Sequence, residues 1–221
     1  MDKTSALIAL IILVDVLITF LAARLGSKWI FATIALNLIL VNIWANTFIS
    51  ILGLTANISN IFYACVFLAT QLIIEDKREL PERIKWFGAG FVISYLILSQ
   101  LSLQLLSLQS PDAASEALKT LLSISPRLAL ASLIAFILAQ DIHNAIYLKL
   151  EKFWSHKYLW ARSLIANSSA QLVDSLLFFT IAFYGVNTAF VSAILSGWII
   201  KTLVVLAAIP LLYLHKHLAR T

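Results

Sequence analysis

The chain has 221 residues, of which 61% are hydrophobic and only 12% charged, with a formal net charge of +5 and a mean hydropathy of +0.94. A soluble domain of this size could not cover its surface from such a mixture, so the balance excludes a water-soluble protein and points to an integral membrane one. The positive charge raises nucleic acid as a partner, but Lys and Arg are placed as membrane topology requires, and no nucleic acid is expected.

A hydrocarbon core about 30 Å thick is crossed by about 20 apolar residues in a helix. Seven segments qualify, at about 5–23, 30–52, 58–75, 86–108, 126–148, 164–184 and 189–213. They lack period-two alternation and are too long for strands, which excludes a β-barrel. The expected fold is all-α: a polytopic integral membrane protein with six or seven transmembrane helices in a single bundle. Residues 1–221 form one transmembrane domain, and no loop is long enough to hold a soluble catalytic part.

The first span follows Lys3 and ends in "FLAARLG", a loose match to a signal-peptide cleavage site. The run is long and carries Asp15 at its centre, so it is read as a retained span. The second contains Asn42 and Asn46. The third carries Asn60, Tyr63 and the single cysteine, Cys65, which can form no internal disulfide, and closes on Gln71 and Glu75. After the fourth span, "SLQSPDAASEALKTLLSISP" at 107–126 has a proline start and a helical period, which predicts an interfacial helix at about 111–123.

In the fifth span, Ala131, Ala135 and Ala139 lead by steps of four to His143, and Gln140, His143, Asn144 and Tyr147 share a face. In the sixth, Ala166 and Ala170 lead to Asp174, and Asn167, Gln171, Asp174 and Ser175 share a face. Small residues at this spacing let helices approach closely. The seventh span contains Lys201, and "HKH" at 215–217 is read as solvated surface charge in a basic tail rather than a metal site.

Lys and Arg concentrate in alternate connections. Arg24 and Lys28 follow the first span; Lys77, Arg78, Arg83 and Lys85 the third; Lys149, Lys152, Lys157 and Arg162 the fifth; Lys216 and Arg220 end the chain. The opposite connections hold only Lys3, Lys119 and Arg127. This bias places the N-terminus outside and the C-terminus in the cytoplasm, in the cytoplasmic (inner) membrane.

A charge at mid-membrane costs at least about 2.5 to 3.5 kcal/mol on insertion scales, so Asp15, Asp174 and Lys201 each need a reason. Asp174 and Lys201 lie at similar depth on antiparallel neighbours and are the expected ion pair, serving either a ligand or helix register. "AQDIHN" at 139–144 and "AQLVDS" at 170–175 repeat a small polar set. With a rise of 1.5 Å per residue, Gln140 lies about 12 Å from the cytoplasmic end of the fifth span. Gln171 lies about 11 Å from the cytoplasmic start of the sixth. Level amides beside His143 and Asp174 suit a planar polar ligand in one shared cavity, although a single amide of this kind also serves as interhelical glue.

Paired metal ligands, a Walker A loop and a GxGxxG motif are all missing from the chain, so no metal, cofactor or catalytic residue is expected. Transport energy would come from an ion gradient, product trapping or a partner.

Four stretches, "NIFYACVFLATQLIIE" at 60–75, "SPRLALASLIAFILAQ" at 125–140, "LWARSLIANSSAQLVDSLLFFTIAFYG" at 159–185 and "WIIKTLVVLAAIPLLY" at 198–213, resemble the queuosine-precursor transporter family. It is also called the VUT or vitamin uptake transporter family. The resemblance covers about residues 42–213 and implies import of a guanine-like 7-deazapurine (preQ0, preQ1 or queuine) across the cytoplasmic membrane for tRNA modification. Glu75, Arg127, Gln140, Arg162, Gln171, Asp174 and Lys201 match the family pattern, as does Pro210. Gln71 and His143 stand where the family typically has Asp.

The ligand chemistry implied is an N1–H and an exocyclic amine accepted by one carboxylate, Asp174, and an O6 satisfied by Gln140 or Gln171. Tyr63, Phe136 or Phe178 would stack on the base, and Glu75 would meet the aminomethyl cation of preQ1. His143, Lys201, Gln71 and Asn60 complete the binding candidates; Asp15, Arg127, Asn144, Asn167 and Arg162 are structural or coupling candidates. A homo-oligomer or an energising partner stays open. The competing classes are a substrate-capture subunit for another vitamin-like molecule that needs a separate ATPase, a membrane scaffold, and an intramembrane enzyme.

Overall fold

A computed structural model describes residues 3–44, 47–51, 54–76, 81–108, 112–123, 126–154, 157–183 and 190–218. Asn46 lies outside them. Along the chain come α1 (Lys3–Leu25), α2 (Ser27–Ile43), β1 (Phe48–Ile51), β2 (Leu54–Asn57), α3 (Ser59–Glu75) and α4 (Pro81–Ser107). They are followed by α5 (Ala113–Leu122), α6 (Pro126–Trp154), α7 (Leu159–Phe183) and α8 (Phe190–Leu218). The protein is an all-α polytopic membrane protein.

Helices α1, α4, α6, α7 and α8 are long and apolar enough to cross a bilayer. Leu10, Leu13, Leu17 and Leu21 of α1 and Leu98 and Leu101 of α4 are exposed, as a hydrocarbon surround permits, because every helical backbone group is bonded within its own segment. Helices α2 and α3 have 17 residues each and extend about 25 Å, near the short limit for a span. In α3 every residue from Ile61 to Ile74 is buried. A helix that is enclosed all round is a core helix; α3 packs against α1, α2 and α8 and touches α4 and α7.

The second span is shorter than expected. Instead of running to residue 52, α2 stops at Ile43, and a two-stranded antiparallel hairpin follows, with Phe48 opposite Asn57 and Ile51 opposite Leu54. The stretch "FISI" is apolar enough to read as helix by hydropathy, but its β-branched residues suit a strand equally, and periodicity cannot separate the two over so short a run. Strand β2 lies against α8, so the hairpin marks the end of the bundle where α3 and α8 begin. The other end carries Lys85, Arg162 and Lys216 and is termed the basic end below.

Gly26 alone separates α1 from α2, with φ 118°, a conformation open to glycine and strained for any residue with a Cβ. Helices α6 and α7 form the most extensive pair. Ala131, Ala135 and Ala139 of α6 and Ala166 and Ala170 of α7 are fully buried, as close approach through small residues requires. Helix α5 packs on α4 and begins at the N-cap Asp112, whose side chain accepts a 2.6 Å bond from the Ser115 amide. That bond holds the Asp112 carboxyl below its ordinary value.

Candidate functional site

The first turns of α3 place Tyr63 toward the hairpin end of the bundle. Its hydroxyl donates to Asp174 Oδ1 at 2.6 Å. From α8, Lys201 Nζ donates to Asp174 Oδ2 at 2.7 Å and to Ser175 Oγ at 3.4 Å, and it lies 4.7 Å from the centroid of the Tyr63 ring. The expected pair of Asp174 and Lys201 is therefore present, and Tyr63 joins it. Tyr63, Asp174 and Lys201 are all buried. A carboxylate offers about four lone-pair directions; Tyr63 and Lys201 occupy one on each oxygen. One turn nearer the hairpin, Asn60 abuts α8 at Gly197, where an added Cβ would come within 3.2 Å of Asn60 Nδ2.

A second charged layer forms at the basic end. Glu75, the last residue of α3, accepts from Arg162 Nη2 at 2.7 Å, from the Tyr147 hydroxyl in a short bond, and from Lys216 Nζ at 3.4 Å. The Arg162 guanidinium lies 5.1 Å from the Tyr147 ring centroid and 3.9 Å from Glu151 Oε1. One turn inward, Gln71 Oε1 accepts from Ser163 Oγ at 2.8 Å and Asn167 Nδ2 at 2.9 Å, and Gln71 Nε2 donates to Tyr147 at 3.4 Å. Asp76 meets His215 at 2.8 Å.

This corrects the reading of "HKH" as solvated charge. His215 is 2% exposed, and Lys216 is bonded to Glu75. Lys201, Val205, Ala208, Leu212 and His215 recur at helical spacing and are all buried, so α8 carries its inward face through the basic stretch.

From Tyr63 to Glu75 on α3, and from Arg162 to Asp174 on α7, is twelve residues, about 18 Å along each helix. Between the two layers lie Gln140, His143 and Gln171, none of them measurably exposed. Gln140 Nε2 donates to Thr70 at 3.3 Å, while its Oε1 has no partner among the described residues. His143 Nδ1 meets Asn144 Oδ1 at 3.2 Å, while Nε2 has none. The His143 ring lies edge-on to Phe67 at 5.6 Å and stacked on Tyr147 at 5.8 Å. Gln171 has no partner on either amide atom among the described residues. A buried polar group left unpaired costs about 1–3 kcal/mol, and three such groups between the charged layers offer polar atoms to the edge of a small molecule.

The remaining candidates lie elsewhere. Asp15 faces Cys65 of α3 and Asn37 of α2. Arg127 Nε donates to the Ile181 carbonyl at 2.7 Å and ties the start of α6 to the end of α7, away from both layers. Asn42 caps a carbonyl of its own helix, Leu38 O, at 2.7 Å. Phe136 is buried with its ring 6.3 Å from Tyr63, in a space that Gly88 leaves open: a Cβ there would come 2.4 Å from Phe136 Cζ. Phe178 packs edge-on against Phe179. The sequence singles out neither Ser163 nor Thr70, places Tyr147 only on the inward face of its span, and places Lys216 only in the basic tail. Ser163 stands one turn before Asn167, and Thr70 directly before Gln71, which is the only local signal either offers.

The profile of a protein family described as "Putative vitamin uptake transporter" matches residues 57–215. Over 193 residues the chain is 31% identical to a Bacillus subtilis (strain 168) protein named "Probable queuosine precursor transporter", an alignment covering 85% of this chain and 82% of that one. No solved structure matches.

Proposed function

Since the chain belongs to the vitamin uptake transporter family, which its match over residues 57–215 and its 31% identical relative establish, we propose that it imports a queuosine precursor. The substrate is a guanine-like 7-deazapurine such as preQ0, preQ1 or queuine. Import runs across the cytoplasmic membrane, with the N-terminus outside and the C-terminus inside, and residues 1–221 act as one transmembrane domain. The protein is a carrier rather than an enzyme.

The uncommitted groups between the two charged layers carry this reading: Gln171, one turn from Asp174, the Gln140 carbonyl oxygen and His143 Nε2. The lone pairs of Asp174 not used by Tyr63 and Lys201 accept the N1–H and exocyclic amine of the base. Gln171 donates to O6, and Gln140 and His143 meet the opposite edge. Tyr63, Phe67 and Phe136 line the same depth and supply ring faces for stacking.

Three helices each give one residue to both charged layers: Tyr63 and Glu75 from α3, Asp174 and Arg162 from α7, Lys201 and Lys216 from α8. A tilt of α7 and α8 against α3 that pivots at one layer would open the other. The pair thus acts as two doors on either side of the binding layer.

The test is competition binding to purified protein by preQ0, preQ1, queuine, guanine and vitamins, repeated on Asp174→Asn. Binding of a deazapurine, weakened at least about tenfold by the substitution, is the expected result; failure of every deazapurine to bind refutes the substrate. Uptake by the purified chain in proteoliposomes then separates a carrier from a capture subunit, which binds without transporting. Analytical sizing of the same material reads the oligomeric state.

A further inference from the structure

Among the described residues, each of the other buried or half-buried carboxylates between packed helices has a lysine, arginine or histidine partner: Asp174 has Lys201, Glu75 has Arg162 and Lys216, and Asp76 has His215. Asp15 does not. It is 5% exposed at the middle of α1, and its described neighbours are the Cys65 thiol and the Asn37 amide. Cys65 and Asn37 lie close enough to act on the Asp15 carboxyl, yet Asp15 Oδ2, both amide atoms of Asn37 and the hydroxyl of Thr19 make no hydrogen bond of ordinary length and angle among the described residues. Thr19 stands one turn after Asp15 on the same face, and both Thr19 and Asn37 are fully buried.

The groups that could neutralise Asp15 can be taken helix by helix. Helix α2 presents Asn37, and its Lys28 is exposed at the basic end. Helix α3 presents Cys65. Helix α8 meets α1 through His215, which lies against Phe20 with centroids 6.1 Å apart and is bonded to Asp76. On α1 itself Arg24 is exposed. Lys201 is committed to Asp174. An isolated charge in such surroundings is too costly to persist, so the carboxylate must take up one positive charge from solution. Carboxylate, amide and hydroxyl oxygens are hard ligands; a single carboxylate among them balances one positive charge, a proton directly or a sodium ion whose remaining ligands water supplies.

We propose that Asp15, Thr19 and Asn37 form the site of the monovalent cation, a proton or a sodium ion, that drives uptake. This rests on the transport reading above, and it places the driving ion apart from the layer that holds the base. Cys65 stands two residues from Tyr63 on α3, so a change in charge at Asp15 acts on the helix that contributes to both charged layers.

Two measurements test it, one independent of any substrate. For purified protein, melting temperature is followed as sodium chloride replaces choline chloride up to about 100 mM, and separately between about pH 5.5 and pH 8, for wild type, Asp15→Asn and Thr19→Val. A sodium-dependent rise in wild type that Asp15→Asn lacks and Thr19→Val weakens assigns sodium. A rise with acidification that Asp15→Asn lacks and Thr19→Val retains assigns the proton. Identical responses in wild type and Asp15→Asn overturn the proposal; if Asp15→Asn does not fold, Asn37→Leu takes its place and the same comparison decides.

In proteoliposomes, Asp15→Asn should lose at least tenfold of gradient-driven accumulation while base-for-base exchange stays within twofold of wild type. Loss of exchange and of base binding together with accumulation overturns the coupling role. Failure of wild type to bind any deazapurine refutes the substrate reading and leaves the cation measurement standing.

Discussion

At Lys201 and Gln171 the same burial has opposite consequences. Lys201 is the only described cation on Asp174, so Lys201→Met leaves a buried carboxylate uncompensated and should destabilise the protein by about 3–5 kcal/mol, read as a lowered melting temperature in detergent. Adding Asp174→Asn should recover most of that loss without restoring uptake, because the pair's charge is removed together with the acceptor proposed to read the base. Gln171 has no partner to lose. Gln171→Leu should therefore leave the melting temperature unchanged or raise it, while weakening base binding about tenfold, in line with about 1–3 kcal/mol for a buried polar group left unsatisfied. An interhelical glue role predicts the reverse: lower stability and unchanged affinity. Burial of Gln140, His143, Gln171 and Asp174 follows the faces read from helical spacing; which of their atoms find partners does not.

Among the elements, α5 offers a prediction with a definite sign. The Ser115 amide bond depresses the Asp112 carboxyl below its usual value of 3.8. A depressed acid contributes its stabilisation above the unfolded value and loses it as pH falls through the lower folded one. The Ser115 amide resonance should accordingly titrate with an apparent pKa below 3.8, and protection at the start of α5 should fall on acidification through that value; a midpoint above 3.8 would refute the cap. The helices also show where local reading overreaches. Hydropathy carried α2 on into β1 because "FISI" satisfies either state, and it cut α8 short because charge at 215–217 reads as surface. In both places a neighbour decides: β2 pairs with β1, and Asp76 and Glu75 receive His215 and Lys216.

For the whole molecule, the two charged layers make a prediction about access. Arg162→Gln loosens the basic-end layer and Lys201→Gln the hairpin-end layer, so they should bias the protein in opposite directions. With Cys65 replaced by Ala and Gln171 by Cys, a membrane-impermeant thiol reagent should label faster from the cytoplasmic side in the first variant and from the outer side in the second. Equal labelling of both variants from the same side would remove the two-door reading.

Composition and hydropathy sufficed to place this chain in a membrane as an all-α polytopic protein and to find the inward stripes of α6 and α7. These features are local: each helix satisfies its own backbone, and side chains three and four residues apart share a face whatever the neighbours are. Apart from the pair of Asp174 and Lys201, expected from similar depth on neighbouring helices, the partner of each polar side chain was decided only in the tertiary structure. Tyr63 with Asp174, Tyr147 and Arg162 with Glu75, and Ser163 with Gln71 join residues 72 to 111 positions apart, and such pairs depend on which helices pack together and at what register. The contrast between committed and uncommitted groups, at Asp174 against Gln171 and at Lys201 against Asp15, arises at that level.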